Sequence, residues 1–153
     1  MTIEEYPGAH RDLYWSFRIA DDSVDLLDAY IDSGRVWVAR AADGTVAGHV
    51  QLVRRDAEVC EVTNMAVAES YRGRGVGRAL LERAVSEATR SGVSRLVLAT
   101  GTADVGLLRF YQRCGFRMTD VVRDVFTEAN GYPPGLTVDG IPLHDQVWFE
   151  RRV

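Results

Sequence analysis

The sequence predicts a single α/β domain with a mixed central β-sheet flanked by helices. Strand-like segments dominate the stretch from residue 35 to residue 67, and beyond it the order is loop, helix, strand, helix, strand. Strands that alternate with helices in this way form a sheet covered by helices. A chain of 153 residues can bury a core without metal or disulfide staples, so we expect one domain over 1–153.

The N-terminal part is predicted to hold two short helices, over 9–20 and 23–32, and then an antiparallel meander. Apolar residues share one face of the second helix, and Gly34 ends it. The Asp43-Gly44 pair is a strong signal for a hairpin between the first two strands of the meander. The three strands are expected over 35–40, 45–54 and 58–67.

The C-terminal part begins with an amphipathic helix over 76–91, whose apolar residues recur at helical spacing. The short, wholly apolar run 96–99 is typical of a strand buried on both faces. A second helix is expected over 104–114, with Gly115 at its C-terminal end. Two further strands, 116–125 and 146–151, are joined by a loop that contains Gly and Pro breakers.

Composition and charge exclude several classes of function. The formal net charge of −4 argues against nucleic acid as the main partner, because nucleic-acid-binding domains usually carry a basic excess. No apolar run reaches the length of a membrane span, and the first residues lack the pattern of a signal peptide. We therefore expect a cytoplasmic protein that does not associate with a membrane. The three histidines show no metal-ligand spacing, and we expect no metal.

A glycine-rich loop carries most of the functional information. An apolar strand that ends at Val67 runs into Arg72-Gly73-Arg74-Gly75-Val76-Gly77, and the amphipathic helix follows at once. Backbone N–H groups at a helix start lack intrahelical partners and lie at the positive end of the helix dipole, so they attract an anion. Glycine removes side chains that would block the approach of a phosphate.

Two familiar phosphate-binding loops fit this segment poorly. The P-loop requires a Gly-Lys pair, and the chain contains no lysine. The dinucleotide fingerprint requires three glycines, and Arg78 stands where the third belongs.

The loop instead resembles the coenzyme A pyrophosphate loop of the GNAT N-acyltransferases, through Arg72-x-x-Gly75-x-Gly77 after a strand that ends Met65-Ala66-Val67. The stretch from Leu107 to Phe116, with Tyr111 followed by Gly115-Phe116, is similar to the second signature of that family. The resemblance covers the chain from about residue 35 to its end. It implies the GNAT fold, in which a bulge splays two central strands, and an enzyme that uses acetyl-CoA as co-substrate.

The resemblance also implies a set of donor-binding residues. Backbone groups of Met65 and Val67 are expected to bind the pantetheine arm, and the loop with the Arg72 side chain to bind the pyrophosphate. Asp104 stands where the family often has Asn, and Asp caps a helix well but cannot donate the amide hydrogen bond of Asn. The full expected set is Met65, Ala66, Val67, Arg72, Gly73, Arg74, Gly75, Val76, Gly77, Arg78 and Asp104.

Two residues are expected to handle protons. Tyr111 occupies the general-acid position of the family, and a tyrosine with an ordinary pKa of about 10 is protonated at neutral pH. Glu61, six residues before Val67, matches the glutamate base of the histone-acetylating members, and family members without an identifiable base act through water. Neither Cys60 nor Cys114 has a neighbouring His, so we expect direct attack by a primary amine in a ternary complex.

The acceptor is left open: small amines and protein or peptide amines fit the resemblance equally well. Tyr14, Trp15, Phe17, Tyr132 and Trp148 are candidates for the wall of the acceptor pocket. Homodimers are common in the family. A non-catalytic acyl-CoA sensor on the same fold is the main alternative function, and a nucleotide-binding protein that uses the Arg-Gly loop is a third.

Overall fold

The computed structural model describes all residues from Met1 to Val153 and contains a seven-stranded mixed sheet with helices on both faces. The spatial order of the strands is β1-β2-β3-β4-β5-β9-β6, and every neighbouring pair is antiparallel except β4–β5. The strands are β1 (Thr2–Glu5), β2 (Arg35–Arg40), β3 (Val46–Arg54), β4 (Val59–Val67), β5 (Arg95–Gly101), β6 (Arg117–Val122) and β9 (Gln146–Arg152); β7 (Thr137–Val138) and β8 (Ile141–Pro142) form a separate hairpin.

Four α-helices flank the sheet: α1 (Tyr14–Ala20), α2 (Val24–Tyr30), α3 (Val76–Arg90) and α4 (Val105–Arg113). The larger core contains α3, Tyr111 of α4 and the apolar residues of the strands that face them. The smaller core joins α1 and α2 to the other face of β2, through Phe17, Leu27 and Val38 among others. The two cores therefore lie on opposite faces of the sheet. No helix combines the length and apolar character needed to cross a lipid bilayer.

The central strands β4 and β5 diverge, as the resemblance to the GNAT family implied. Their parallel pairing runs only from Val59–Arg95 to Val62–Leu98, although both strands continue beyond those pairs. On the other side of β4, the register with β3 shifts between Gln51 and Leu52, whose partners are Asn64 and Val62. Thr63 is thus the extra residue of a β-bulge, and a bulge bends its strand. This bend starts where β4 separates from β5.

The expected elements are present, the β7–β8 hairpin stands within the expected loop, and four other elements differ from expectation. The strand β1 was missed because its four residues, Thr-Ile-Glu-Glu, include only one apolar side chain. The helix expected over 9–20 begins as a 3₁₀ turn and is α-helical only from Tyr14. In β5, Leu96 and Leu98 are buried but Val97 and Ala99 are only half-buried, so one face of this strand is fully covered. The last difference is β6, which ends at Val122 and is exposed along its length.

Candidate active site

A cleft of about 970 Å³ opens where β4 and β5 separate. Its wall includes the ends of both strands, the glycine-rich loop with the start of α3, and one face of α4. On the opposite face of the sheet it is bordered by the end of α1, by Tyr30 of α2 and by the loop that contains Tyr132. The cleft therefore passes between the two strands and connects the two faces of the sheet.

The backbone of β4 turns polar groups without a strand partner toward this gap. Ala68 N–H donates to the Ala47 carbonyl at 2.8 Å, which fixes the alternation of the β3–β4 ladder. Met65 and Val67 pair with Val50 and Gly48, so they fall in the non-hydrogen-bonded positions. Their N–H and C=O groups therefore point away from β3, toward the side where β5 has left. This is the arrangement that the resemblance implied for Met65 and Val67.

The glycine-rich loop has the backbone geometry of an anion-binding helix start. Gly73 and Gly75 have φ angles of 74° and 79°, which disfavour residues with a side chain. No side chain caps the N-terminus of α3, so its first N–H groups are available to a ligand. A Cβ at Gly77 would lie 3.6 Å from Phe110 and Val67, so this position borders α4 closely.

Three arginines were expected at the loop, and the structure separates them. Arg72 and Arg78 line the cleft, and the Arg72 Nε donates to the Val67 carbonyl at 3.1 Å. Arg74 does not line the cleft; its guanidinium lies over the Tyr71 ring, 5.7 Å from the centroid. The geometry thus supports Arg72 and Arg78 as pyrophosphate ligands and does not support Arg74.

On the other side of the cleft, α4 presents Tyr111. Asp104 caps this helix, with its carboxylate accepting from the Leu107 N–H at 3.1 Å, and Asp104 also lines the cleft. Tyr111 is only 6% exposed, and burial, followed by the charge of Asp104, raises the pKa of its phenol above the ordinary value. The hydroxyl is therefore protonated at neutral pH and available as a donor in the cleft.

Glu61 lies outside the site. Its carboxylate forms an ion pair with Arg55 at 3.0 Å, and it is absent from the cleft wall. It belongs to the part of β4 that is still paired with β5, opposite Val97, before the strands separate. The geometry therefore does not support Glu61 as the base.

The end of the cleft on the α1–α2 face contains residues that the sequence did not single out. Asp21, Asp22, Tyr30 and Asn64 line it together with Tyr132. Of the aromatic residues expected there, Tyr132 is present, whereas Tyr14, Trp15, Phe17 and Trp148 are not part of the wall. No local motif marks this group, because its members come from four separate segments of the chain.

A chain of hydrogen bonds supports this end. The Tyr30 hydroxyl donates to Asp21 Oδ2 at 2.7 Å and accepts from Asn64 Nδ2 at 3.0 Å. Burial and Asp21 raise the pKa of Tyr30, so its hydroxyl stays protonated. Behind Asn64 lies His49, which is fully buried, stacks on Phe17 and shares a 2.6 Å hydrogen bond with Ser16. Burial lowers the pKa of His49 from 6.5 to about 3, so its ring is neutral.

The buried side-chain amide of Gln51 links the end of α2 to the bulge of β4. The two N–H bonds of its Nε2 group donate to three carbonyl oxygens within 3.1 Å, those of Tyr30, Ile31 and Ser33, so that one N–H is shared between two of them. Its oxygen accepts from the Thr63 hydroxyl at 2.6 Å. The end of α2 and the bulge of β4 are thereby bonded to one side chain, which fixes their positions beside the cleft.

No group of three or more His, Cys, Asp or Glu side chains could hold a metal ion.

Comparison with known proteins agrees with this geometry. Residues 5–116 match the model of the acetyltransferase (GNAT) family. The uncharacterized N-acetyltransferase YvbK of Bacillus subtilis is 32% identical over 147 residues, which cover 96% of this chain and 93% of the relative. A GNAT family acetyltransferase from Elizabethkingia anophelis, solved with acetyl-CoA bound, has a TM-score of 0.91 at 30% identity and covers 99% of this chain and 97% of its own. A Bacillus subtilis acetyltransferase in complex with CoA has a TM-score of 0.89 at 30% identity, with 99% and 97% coverage.

The family match spans well over half of the chain, and the fold agrees with structures that hold the acyl donor or its product. The predictions of family, fold and co-substrate are confirmed. The chain belongs to the GNAT family of acetyltransferases, and it is an enzyme whose co-substrate is acetyl-CoA.

Proposed function

We propose that this enzyme transfers the acetyl group from acetyl-CoA to a primary amine by direct attack in a ternary complex. The observation that carries the proposal is the continuous cleft through the sheet. The glycine-rich loop and Tyr111 border it on the α3–α4 face, and Asp21, Tyr30 and Tyr132 border it on the α1–α2 face. Two substrates can enter such a cleft from opposite sides and meet at the splayed strands.

The donor end would be held mainly by backbone. The pantetheine arm would bind the groups of Met65 and Val67 that face the gap, in place of the missing strand. The pyrophosphate would lie at the start of α3, with the Arg72 and Arg78 side chains adding charge-assisted hydrogen bonds. When bound, acetyl-CoA supplies an activated acetyl group as a thioester.

Tyr111 is the general acid of this proposal. The amine must first lose a proton to solvent, because only the neutral form attacks. As the bond from nitrogen to the acetyl carbon forms and the carbon–sulfur bond breaks, the Tyr111 hydroxyl donates its proton to the departing sulfur. A proton released by the new amide nitrogen, carried by water, restores the phenol. The raised pKa of Tyr111 favours this return to the neutral form.

A covalent acetyl-enzyme is not part of the proposal. Cys60 and Cys114 are buried and neither lines the cleft. Burial also raises the pKa of the Cys114 thiol, which disfavours the reactive thiolate. The two cysteines therefore have the character of core residues.

The donor is tested by thermal unfolding with acetyl-CoA, CoA, ATP and NAD. A ligand at about a hundredfold excess over its Kd raises stability by about 2.7 kcal/mol. We expect a shift with both coenzyme A forms and none with NAD. A shift with ATP equal to that with CoA would favour the nucleotide-binding alternative.

Catalysis is tested by thiol release with a panel of amines, using Tyr111→Phe and the matched control Tyr14→Phe. Loss of a general acid lowers kcat by about 10²- to 10⁴-fold. We expect this loss for Tyr111→Phe with CoA affinity retained, and native activity for Tyr14→Phe, since Tyr14 lies outside the cleft. Tight CoA binding without turnover of any amine would favour the sensor, and native kcat in Tyr111→Phe would remove Tyr111 from the mechanism.

A single domain over 1–153 and a cytoplasmic location stay predictions.

A further inference from the structure

Tyr111 and Tyr30 line the cleft from opposite faces of the sheet. Tyr111 lies on the α3–α4 face, where its hydroxyl is the proposed proton donor. Tyr30 lies on the α1–α2 face, at the end of the cleft that we term the acceptor end. The other members of the acceptor end are Asp21, Asp22, Asn64 and Tyr132. The hydrogen bonds of Tyr30 determine what its hydroxyl can offer to a ligand there.

The orientation of the Asn64 amide is fixed by a backbone carbonyl. The side chain is only 5% exposed, and one of its two polar atoms lies 3.2 Å from the Phe17 carbonyl oxygen. A carbonyl oxygen only accepts hydrogen bonds, so this atom is the NH₂ group, Nδ2. The same NH₂ group lies 3.0 Å from the Tyr30 hydroxyl oxygen. Asn64 therefore donates to Tyr30.

The proton of the Tyr30 hydroxyl points the other way, toward Asp21. Its partner is Asp21 Oδ2 at 2.7 Å, and a carboxylate accepts but does not donate. Asp21 is held for this bond by the Ser23 N–H, which donates to Oδ1 at 2.9 Å, and by Arg18, which donates to the Asp21 backbone carbonyl at 3.1 Å. The hydrogen bonds thus run in one direction, from Asn64 through Tyr30 to Asp21.

This arrangement leaves the Tyr30 oxygen with one unused lone pair. A hydroxyl has one donor and two acceptor positions; Asp21 takes the proton, and Asn64 fills one acceptor position. Because Tyr30 lines the cleft, the other acceptor position is open to a ligand, and only a hydrogen-bond donor can fill it. The bond to Asp21 also polarises the hydroxyl, which makes its oxygen a better acceptor.

We propose that the Tyr30 hydroxyl oxygen accepts a hydrogen bond from the attacking amine and so orients that amine toward the thioester. The inference rests on the proposed function, because the amine is the second substrate of that reaction. A neutral amine carries N–H donors and one lone pair, and an N–H held by Tyr30 limits the directions in which the lone pair can point. Tyr30 is bonded to Asn64, which directly precedes Met65 on β4, so its hydroxyl lies beside the place expected for the pantetheine arm. Asp21 acts through Tyr30 and is a positioning residue.

The first test removes the acceptor atom. Tyr30→Phe keeps the ring, and thiol release is measured with acetyl-CoA and the best amine of the panel. We expect kcat/KM for the amine to fall about tenfold, the value of one hydrogen bond, and Tyr14→Phe, outside the cleft, to keep the native value. CoA affinity should stay native, whereas a general disturbance of β4 would change it, because Asn64 adjoins Met65. Native kcat/KM in Tyr30→Phe would overturn the proposal.

The second test keeps the Tyr30 hydroxyl and reverses its direction. In Asp21→Asn the side-chain oxygen stays with the Ser23 N–H, so an NH₂ group replaces Oδ2 and faces Tyr30. The Tyr30 oxygen then receives two N–H groups, and its own proton must point into the cleft, against the N–H of the amine. We expect kcat/KM to fall about tenfold or more. The control is Asp25→Asn, with the same charge change on an exposed residue of α2 outside the cleft, and it should remain native.

A double variant separates hydrogen-bond direction from charge. If Asp21 acts only through Tyr30, Tyr30→Phe combined with Asp21→Asn should be no slower than the slower of the two single variants. Additive losses would show that the Asp21 charge acts on the amine directly, and they would overturn its positioning role. Thermal unfolding of each variant checks that it is folded at the assay temperature.

A binding measurement separates this inference from the proposed function. Butylamine, whose ammonium form also carries N–H donors, is titrated into the protein saturated with CoA and followed by NMR. We expect binding that is weaker in Tyr30→Phe and Asp21→Asn and native in Asp25→Asn. If no amine is turned over, the proposed function fails, yet this titration still judges the role of Tyr30. Equal binding in the native protein and Tyr30→Phe, or no binding to the native protein, would overturn the inference.

Discussion

The two ends of the cleft are built in different ways. The donor end is formed largely by backbone: N–H groups at the start of α3, glycines with positive φ, and the groups of Met65 and Val67 that have no strand partner. The acceptor end is formed by side chains, among them Asp21, Tyr30 and Tyr132. Arginine side chains line the first end, and aspartate side chains line the second.

This difference separates what is general from what is specific in the enzyme. A backbone site recognises a phosphate with few demands on side-chain identity, so its geometry depends on a short contiguous segment. A side-chain site can change its charge and shape through single substitutions, without altering the sheet. We therefore expect variants to affect one end at a time.

The largest effect on stability should come from acidification, through the buried His49 that lies behind Asn64. The pKa of His49 is about 3 in the folded protein and 6.5 ordinarily, so the unfolded chain binds the proton first as pH falls. Stability present above pH 6.5 is therefore lost as pH falls toward the folded value. Between about pH 7 and about pH 5 this loss amounts to about 2 kcal/mol.

Urea unfolding of the native protein and of His49→Gln at both pH values measures this term. The variant should lose clearly less stability than the native protein over the same interval, because glutamine does not titrate. Equal losses in the two proteins would show that His49 is not the group responsible and that the acid sensitivity lies elsewhere.

The next effect separates two neighbouring arginines at the donor end. Arg72→Gln should weaken CoA binding about tenfold, because a hydrogen bond to a charged group is worth about 1.5–3 kcal/mol and part of it is retained by the loop backbone. Arg74→Gln, with the same charge change, should have a much smaller effect, since Arg74 lies over Tyr71 and outside the cleft. Calorimetric titration with CoA distinguishes the two variants. Equal losses of CoA affinity would show that Arg74 also binds the donor.

The smallest effect uses a matched pair of glycines. Gly75 and Gly44 have φ angles of 79° and 87°, and a Cβ at either would meet nothing within 4 Å. Alanine at each should therefore cost about 1 kcal/mol of stability through backbone strain alone. Only Gly75→Ala should also weaken CoA binding, by several-fold. If Gly44→Ala weakened CoA binding equally, the effect would not be specific to the glycine-rich loop, and the loop would not be the binding site for CoA.

The donor end could be predicted from sequence because its signals are local. The loop Arg72–Gly77, the periodic helix after it and Tyr111 lie in segments whose conformations follow from spacing and from glycine. The same motif does not determine where the Arg74 side chain lies, because a motif fixes the backbone but not whether an exposed side chain turns toward the cleft or toward Tyr71.

The acceptor end could not be predicted because it depends on contacts between distant segments. Tyr30 and Asn64 are 34 positions apart and meet only after α2 packs against the sheet. Glu61 shows the opposite problem: its place on β4 matched a family role, but the strands are still paired at that point and Arg55 binds its carboxylate. Where β4 leaves β5 is set by the bulge at Thr63, and this position is not visible in the periodicity of the strand.

The gap between β4 and β5 also gives the sheet an internal edge. Unpaired backbone along a strand is a template for pairing with another chain, and proteins usually cover or bend such edges. Here the bend at Thr63 and the narrow cleft shield Met65 and Val67 only in part. A ligand that occupies the gap would therefore cover this edge and disfavour self-association. The acyl donor would then protect the folded protein from aggregation as well as serve as a reactant.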